Sequence, residues 1–291
     1  MLWAILFFFG LAIGSFLNVV ILRYDGEKFL FDAKALGGRS HCMHCGKTLR
    51  WFELVPVASF LAQRGRCRHC AARLSAQYPA VELLSALVFT FVPYALFGAV
   101  AGAAPIGAVN PALIVIAGLW IAVFELLLVM AAIDIRMGII PDEINVILGV
   151  VGIALMIAVA GYMGTSLNQS FLGPYAAIFG AQGDILWNRA IAAAAAGAFF
   201  GVLIAATRGR GMGMGDLKLA IPLGIVFGWP DVGAVIIFSF VIGAAAGLFS
   251  VVRGAKTMKG SLPFGPFLAI GAAVMFFWGP AIFAWYFSLI K

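Results

Sequence analysis

The feature that most constrains this chain is the recurrence, along most of its 291 residues, of apolar runs of roughly 18 to 25 residues, each long enough to cross a ~30 Å hydrocarbon layer as a helix. The runs place spans near 1–22, 81–101, 112–133, 144–162, 190–207, 217–229, 232–251 and 264–289. With 11% of residues charged, less than half the share of an ordinary soluble domain, water is not the main solvent. The expected fold is an all-α polytopic membrane protein of about eight transmembrane helices. The run 217–229 is short and carries Pro222, so that helix is expected to be broken, tilted or fused with its neighbour. Only 23–80 reads as water-soluble, and it is expected to form a small cytoplasmic loop domain between the span 1–22 and a membrane domain over 81–291.

Residues 1–22 lack the basic leading region and small-residue cleavage site of a removable signal peptide, so they read as a retained span. Within it, Gly10 and Gly14 have the spacing that lets helices approach closely. With the amino terminus outside, the segments 23–80, 134–143, 208–218 and 252–263 face the cytoplasm. Together they hold 17 of the 19 Lys and Arg, leaving Arg189 and Lys291 outside. The positive-inside bias selects this orientation. The net charge of +7 then reflects cytoplasmic loops. Membrane lipid is the expected surroundings, and nucleic acid is not an expected partner, because no basic stripe is interleaved with exposed aromatics.

All four Cys fall in the soluble segment, as Cys42-Met43-His44-Cys45 and Cys67-Arg68-His69-Cys70. Two CxxC pairs at this separation match a four-cysteine zinc site, closed and therefore structural. Two disulfides are the competing reading, and they would need an oxidising compartment, whereas this loop is expected in the reducing cytoplasm. His41, His44 and His69 lie beside the ligands and are expected to be outer-sphere or exposed, since four thiolates already satisfy the metal.

Charged groups at the edges of spans are costly and each needs an account. Asp134 ends the third span, and Asp216 follows the run Gly211-Met212-Gly213-Met214-Gly215. Both are expected on the cytoplasmic side. Two carboxylates held together cannot both ionise easily; one acts as base toward water while the other acts as acid toward a carbonyl. Gly213 and Gly215 would let backbone approach an extended peptide or adopt positive φ. Taken singly, Asp134 could instead be an interfacial carboxylate paired with Arg136, and Asp216 an N-cap. Asp142 and Glu143, after Pro141, read as helix-capping acids. Glu125 lies nine residues before Asp134, ~13 Å of helix rise and half a turn out of phase. It is expected to serve as a neutral, hydrogen-bonded group between helices.

With these residues in hand, the sequence resembles the bacterial type IV prepilin peptidases, bifunctional leader peptidases and N-methyltransferases. The resemblance runs from Gly14-Ser15-Phe16-Leu17-Asn18 through the CxxC pairs, Arg64-Gly65-Arg66-Cys67-Arg68, Tyr78-Pro79-Ala80-Val81-Glu82 and Pro141-Asp142. It continues to Gly213-Met214-Gly215-Asp216-Leu217-Lys218 and Pro263-Phe264-Gly265-Pro266-Phe267. It implies that Asp134 and Asp216 are the catalytic pair of a GxGD-type membrane aspartyl protease in the inner membrane. Its substrates would be prepilins or pseudopilins, of pili or of type II secretion, cut after a basic leader on the cytoplasmic side. It implies, too, that S-adenosylmethionine methylates the new amino terminus. Cys-Met-His-Cys departs from the family, which usually has Pro after the first Cys, but the ligand spacing is intact. No glycine-rich dinucleotide-type fold fits within 23–80, so the methyl-donor ligands are not legible. Two other classes remain. A carboxylate-dependent transporter would carry acids near the midplane and an inverted repeat, and a non-catalytic scaffold would use the cysteines but leave Gly213-x-Gly215-Asp216 idle.

Overall fold

The computed structural model describes residues 1–27, 29–32, 37–101, 110–163, 170–180, 183–209, 211–253 and 262–289. Lys28, Lys34, Arg210, Lys256, Lys259 and Lys291, used above to set the orientation, lie outside the described residues. The chain divides into two compact units, Met1–Ile106 and Gly107–Lys291.

The first unit holds α1 (Leu2–Arg23), a 3-10 turn at Trp51–Glu53, the short α2 (Ala58–Ala62) and α3 (Gln77–Ala101). The long helices α1 and α3 pack against each other with almost no space between backbones. A Cβ added to Gly10 would lie 2.7 Å from Ala86 Cα, and one on Gly14 would lie 2.7 Å from Glu82 Cα. The expected packing role of the two glycines is thus met, and the Ser85 hydroxyl closes the seam by donating to the Gly10 carbonyl at 2.8 Å.

The second unit contains α4 (Pro111–Met137), α5 (Asp142–Met163), a 3-10 turn at Gly173–Phe179, α6 (Ile185–Thr207), α7 (Met214–Phe227), α8 (Asp231–Val252) and α9 (Gly265–Ser288). Helix α4 packs on α5 and α9, α5 and α6 flank α7, and α8 packs on α9. Rings fill the centre: Trp120 meets Phe276 at 4.6 Å, Phe227 at 5.4 Å and Phe171 at 5.8 Å between centroids.

Seven helices among the described residues are long and apolar enough to cross a membrane. The eighth expected span is α7. It is one continuous helix of 14 residues with Pro222 inside it, neither broken nor fused, and its ~21 Å length falls short of a hydrocarbon core. Its sides are covered by neighbouring helices, which lets a short helix persist. The helix ends differ from expectation where a cap decides them. Asp184 accepts from the Leu186 and Trp187 N–H groups, so α6 starts at Ile185 rather than 190. Arg189, expected in an outer loop, is consequently a buried helix residue whose guanidinium donates to the Val226 carbonyl.

Candidate active site

The last turn of α4 carries Asp134, and Gly138, at φ 68°, ends the helix by donating its N–H to the Asp134 carbonyl at 2.8 Å. Asp134 is 5% exposed and Asp216 8%. Each carboxylate is held by one backbone N–H from a helix start, where such groups have no partner within the helix. Gly265, the first residue of α9, donates to Asp134 Oδ2 at 3.0 Å, and Gly213 donates to Asp216 Oδ2 at 3.1 Å. The second oxygen of each carries no protein hydrogen bond among the described residues. The two carboxylates lie within electrostatic reach of each other.

Two further contacts gather the start of α7 to the segment after Asp134. Gly215 packs against Ile140, where an added Cβ would lie 3.2 Å from the Ile140 Cβ. Lys218 pairs with Asp142 at 2.7 Å between exposed side chains. Asp142 is therefore both an acid in the first turn of α5 and a tether for α7, a partnership not legible in its capping pattern. Asp216 is not the N-cap; Gly213 is, and Asp216 reaches back to it from the third helical position. Neither motif glycine uses positive φ: Gly213 sits at φ −85° and Gly215 lies within the first turn of the helix. What Gly215 needs is space.

The sequence reading gave Gly265 no role of its own. Its signal was present, because a Gly between Phe264 and Pro266 opens a helix with a free N–H and no side chain. A Cβ there would lie 2.7 Å from Asp134 Oδ2 and 2.7 Å from Met130 Sδ. Glu125 is buried within α4. A second polar cluster also escaped notice, at the opposite end of α7: buried Asp231 accepts from the Ser170 hydroxyl at 2.6 Å and the Phe171 N–H at 2.9 Å, with Arg189 in electrostatic range.

In the first unit the two CxxC segments fold alike. Cys42 N–H donates to Lys47 O, and Gly46 N–H returns to Cys42 O, both at 2.9 Å. Twenty-five residues on, Cys67 N–H donates to Ala72 O, and Ala71 N–H returns to Cys67 O, again at 2.9 Å. An isolated antiparallel bridge closes each knuckle, His41 to Thr48 and Arg66 to Arg73. The four sulfurs lie within 4.8 Å of one another. A tetrahedral ion with Zn–S bonds of ~2.3 Å spaces its sulfurs by roughly 3.8 Å, so the cluster fits one metal. It does not match two disulfides, since the four thiols are free and Cys42 and Cys70 stand 4.0 Å apart. The Cys45 backbone N–H draws the Cys42 thiol down to about 6 against burial, with the His44 N–H adding to it, while, against the Ala72 N–H, burial and the other three thiols push the Cys70 thiol up to about 11; thiolate is the form that binds metal. The three His are exposed and outside the cluster.

Two sequence profiles match the chain: the bacterial peptidase A24 N-terminal domain over residues 8–96 and the type IV leader peptidase family over residues 121–248. A protein of Burkholderia pseudomallei strain 1026b is 36% identical to it, across 93% of this chain and 83% of its own. The chain belongs to the type IV leader peptidase family. Within this family, a Bacillus subtilis strain 168 protein is 31% identical over 98% of both chains, and one from Aeromonas hydrophila is 31% identical over 98% of this chain and 93% of its own. All three relatives are prepilin leader peptidase/N-methyltransferases. No solved structure is significantly similar. The leader peptidase profile spans Asp134 and Asp216, and the N-terminal profile spans the four Cys. As a family member with seven apolar helices, the chain is a multi-pass protein of the inner membrane.

Proposed function

We propose that this protein cuts the leader from type IV prepilins or pseudopilins with Asp134 and Asp216, then methylates the new amino terminus. The observation that carries the peptidase reading is the paired geometry: two buried carboxylates in electrostatic reach, each fixed through one oxygen by a backbone donor. Like charges this near favour a state with one proton between them. The ionised carboxylate then takes a proton from water as that water attacks the scissile carbonyl. The protonated partner donates to the carbonyl oxygen, and no covalent intermediate forms. Gly213 and Gly265 keep the carboxylates in register, because a backbone donor cannot swing away as a side chain can. Gly213, bare of a side chain at the entrance to α7, leaves room for an extended peptide, while the space beside Gly215 is taken by Ile140.

Four thiolates from two knuckles support a structural zinc held by Cys42, Cys45, Cys67 and Cys70; such an ion would fold the segment 23–80 and leave no open coordination position. S-adenosylmethionine would supply the methyl group as an electrophile. The orientation rests on the basic loops: amino terminus periplasmic, with 23–80 and both aspartates on the cytoplasmic side. In this division 1–22 is the first span, 23–80 the zinc-binding methyltransferase part and 81–291 the peptidase domain. Lipid surrounds the spans, and no nucleic acid takes part.

Co-expression with a prepilin, followed by mass measurement of the mature amino terminus, tests both activities together. The expected product lacks the leader and carries one added methyl. An uncut prepilin with well-expressed, membrane-inserted enzyme overturns the peptidase reading.

A further inference from the structure

Helix α5 carries a buried polar side chain to which the dyad chemistry above gives no part. Asn145 is 8% exposed, with the fully buried Ile144 beside it and Leu148 one turn on. Among the described residues, both its Nδ2 and its Oδ1 are buried without a partner. An amide that gives up water and gains no hydrogen bond is costly, and asparagine is a poor helix former, so an apolar residue would suit the resting structure better. The packing fixes its place from two sides. Asp134 stands four residues before Gly138 and Asn145 four after Pro141; α4 packs on α5, so in this helical hairpin each lies ~6 Å from the connecting turn. Contacts between α5 and α7 set a second register. Added Cβ atoms would lie 3.2 Å from Ile140 at Gly215, 3.9 Å from Pro222 at Gly149 and 3.0 Å from Val226 at Gly152, and Asp142 pairs with Lys218. Asn145 falls midway between the Ile140–Gly215 and Gly149–Pro222 contacts, within about one helical turn of Asp216.

We infer that Asn145 is a positioning residue of the peptidase site, whose Nδ2 donates to the second oxygen of Asp216 when bound substrate draws the site closed. The inference rests on the aspartate pair proposed above. The two groups are complementary at one depth of one seam: the amide lacks an acceptor, and Asp216 is held through Oδ2 alone, by the Gly213 N–H. A carboxylate fixed at one oxygen can still rock about that bond. A second donor from α5 fixes its plane, and because a carboxylate oxygen has two lone pairs, the same atom can still receive a proton from the attacking water. The donor must also be neutral. A Lys or Arg in its place would hold Asp216 in the ionised form and remove its turn as the acid, whereas an amide donates to the ionised and the protonated carboxyl alike. Oδ1 is left to accept from water that enters with the substrate. Hydrogen bonds at catalytic sites are often unmade at rest and tighten with substrate, and local rules are broken where function needs it; an unpaired amide in a buried seam beside the dyad is such a break.

Asn145→Leu, which nearly keeps the volume and removes both polar atoms, provides the test in the full-length protein in detergent, with a purified prepilin as substrate. Because the amide has no partner at rest, this variant is expected to unfold at the parent's temperature or above it. Its kcat for leader removal is expected to fall at least about ten-fold, with KM within about two-fold of the parent's. A merely structural amide does not move stability and turnover in opposite directions. Asn145→Ala removes the same atoms without adding a branched side chain, and the same loss of kcat is expected of it. Parental kcat in either variant overturns the role. So does a lower unfolding temperature in both, which would make the amide part of the resting fold, and so does a rise in KM with kcat unchanged. If Asn145→Leu cuts like the parent while Asp216→Asn does not cut, the dyad stands without this residue. Should the parent itself leave prepilin uncut, the peptidase reading fails and the inference falls with it.

Discussion

The cysteine site and the aspartate site are built on opposite scales. Each knuckle is made by fewer than ten contiguous residues whose backbone closes on itself, and the two copies share one hydrogen-bond pattern. The aspartate site draws its parts from the end of α4, the start of α7 and the start of α9, and its Gly265–Asp134 hydrogen bond spans 131 residues of sequence. A local site can be held by an ion that ties two loops together. A dispersed site is held by the packing of the helices that carry it, so it responds to different insults.

The largest expected effect separates the sites by chemistry. Asp134→Asn and Asp216→Asn each keep shape and hydrogen-bonding capacity but remove the proton exchange. Cleavage of a prepilin should fall by about three orders of magnitude or more, with zinc content unchanged. Asp142→Asn, which touches the ion pair to Lys218 but not the dyad, should cost less than about ten-fold in the same assay. If Asp142→Asn abolishes cleavage while Asp134→Asn does not, the dyad must be redrawn around Asp142 and Asp216.

Removing the metal should separate them by stability. In small zinc domains the metal's binding free energy, on the order of 10 kcal/mol, is folding free energy. Chelation, or Cys42→Ser, should therefore strip hydrogen-exchange protection from residues 40–75 while helices α4 to α8 keep theirs. Equal loss in both regions would break the comparison, because the aspartate site would then depend on the knuckles.

Gly265→Ala is expected next in size. Its Cβ would lie 2.7 Å from both Asp134 Oδ2 and Met130 Sδ, so either the carboxylate or α9 must shift, and kcat should drop by at least about ten-fold. A variant with parental kcat would show that Asp134 keeps its working position with a side chain at 265, so the close approach of α9 does not set it. The smallest effect belongs to Lys218→Met. The ion pair to Asp142 is solvent-exposed, so its loss should change unfolding free energy by only ~0–1 kcal/mol. A larger change in thermal unfolding would mean that the tether between α5 and α7 carries more than its exposure allows.

Several features were legible because their physics is local. Apolar runs announce helices in a membrane whatever their neighbours are, and the eight runs became eight helices, seven of them long enough to span. CxxC spacing announces a metal knuckle because a turn three residue steps long brings its thiolates together. Gly10 and Gly14 announced a close helix contact by their spacing, and Ala86 and Glu82 supply the other side.

Other features depended on which distant segments meet. The sequence contained Gly265 in a readable motif, but only the approach of α9 to α4 made its N–H the donor that holds Asp134. It contained Pro222 in a short run, but the packing of α5 and α6 beside α7 decided that a 14-residue helix would persist unbroken. Arg189 looked like a loop charge until the Asp184 cap moved the helix start and buried it. The burial of Asn145 at the depth of Asp134 was invisible for the same reason, since it follows from the packing of α4 and α7 on α5. Periodicity and ligand spacing act over a few residues and can be read along the chain; burial and hydrogen-bond partnership between residues tens to hundreds of positions apart exist only after the chain has packed.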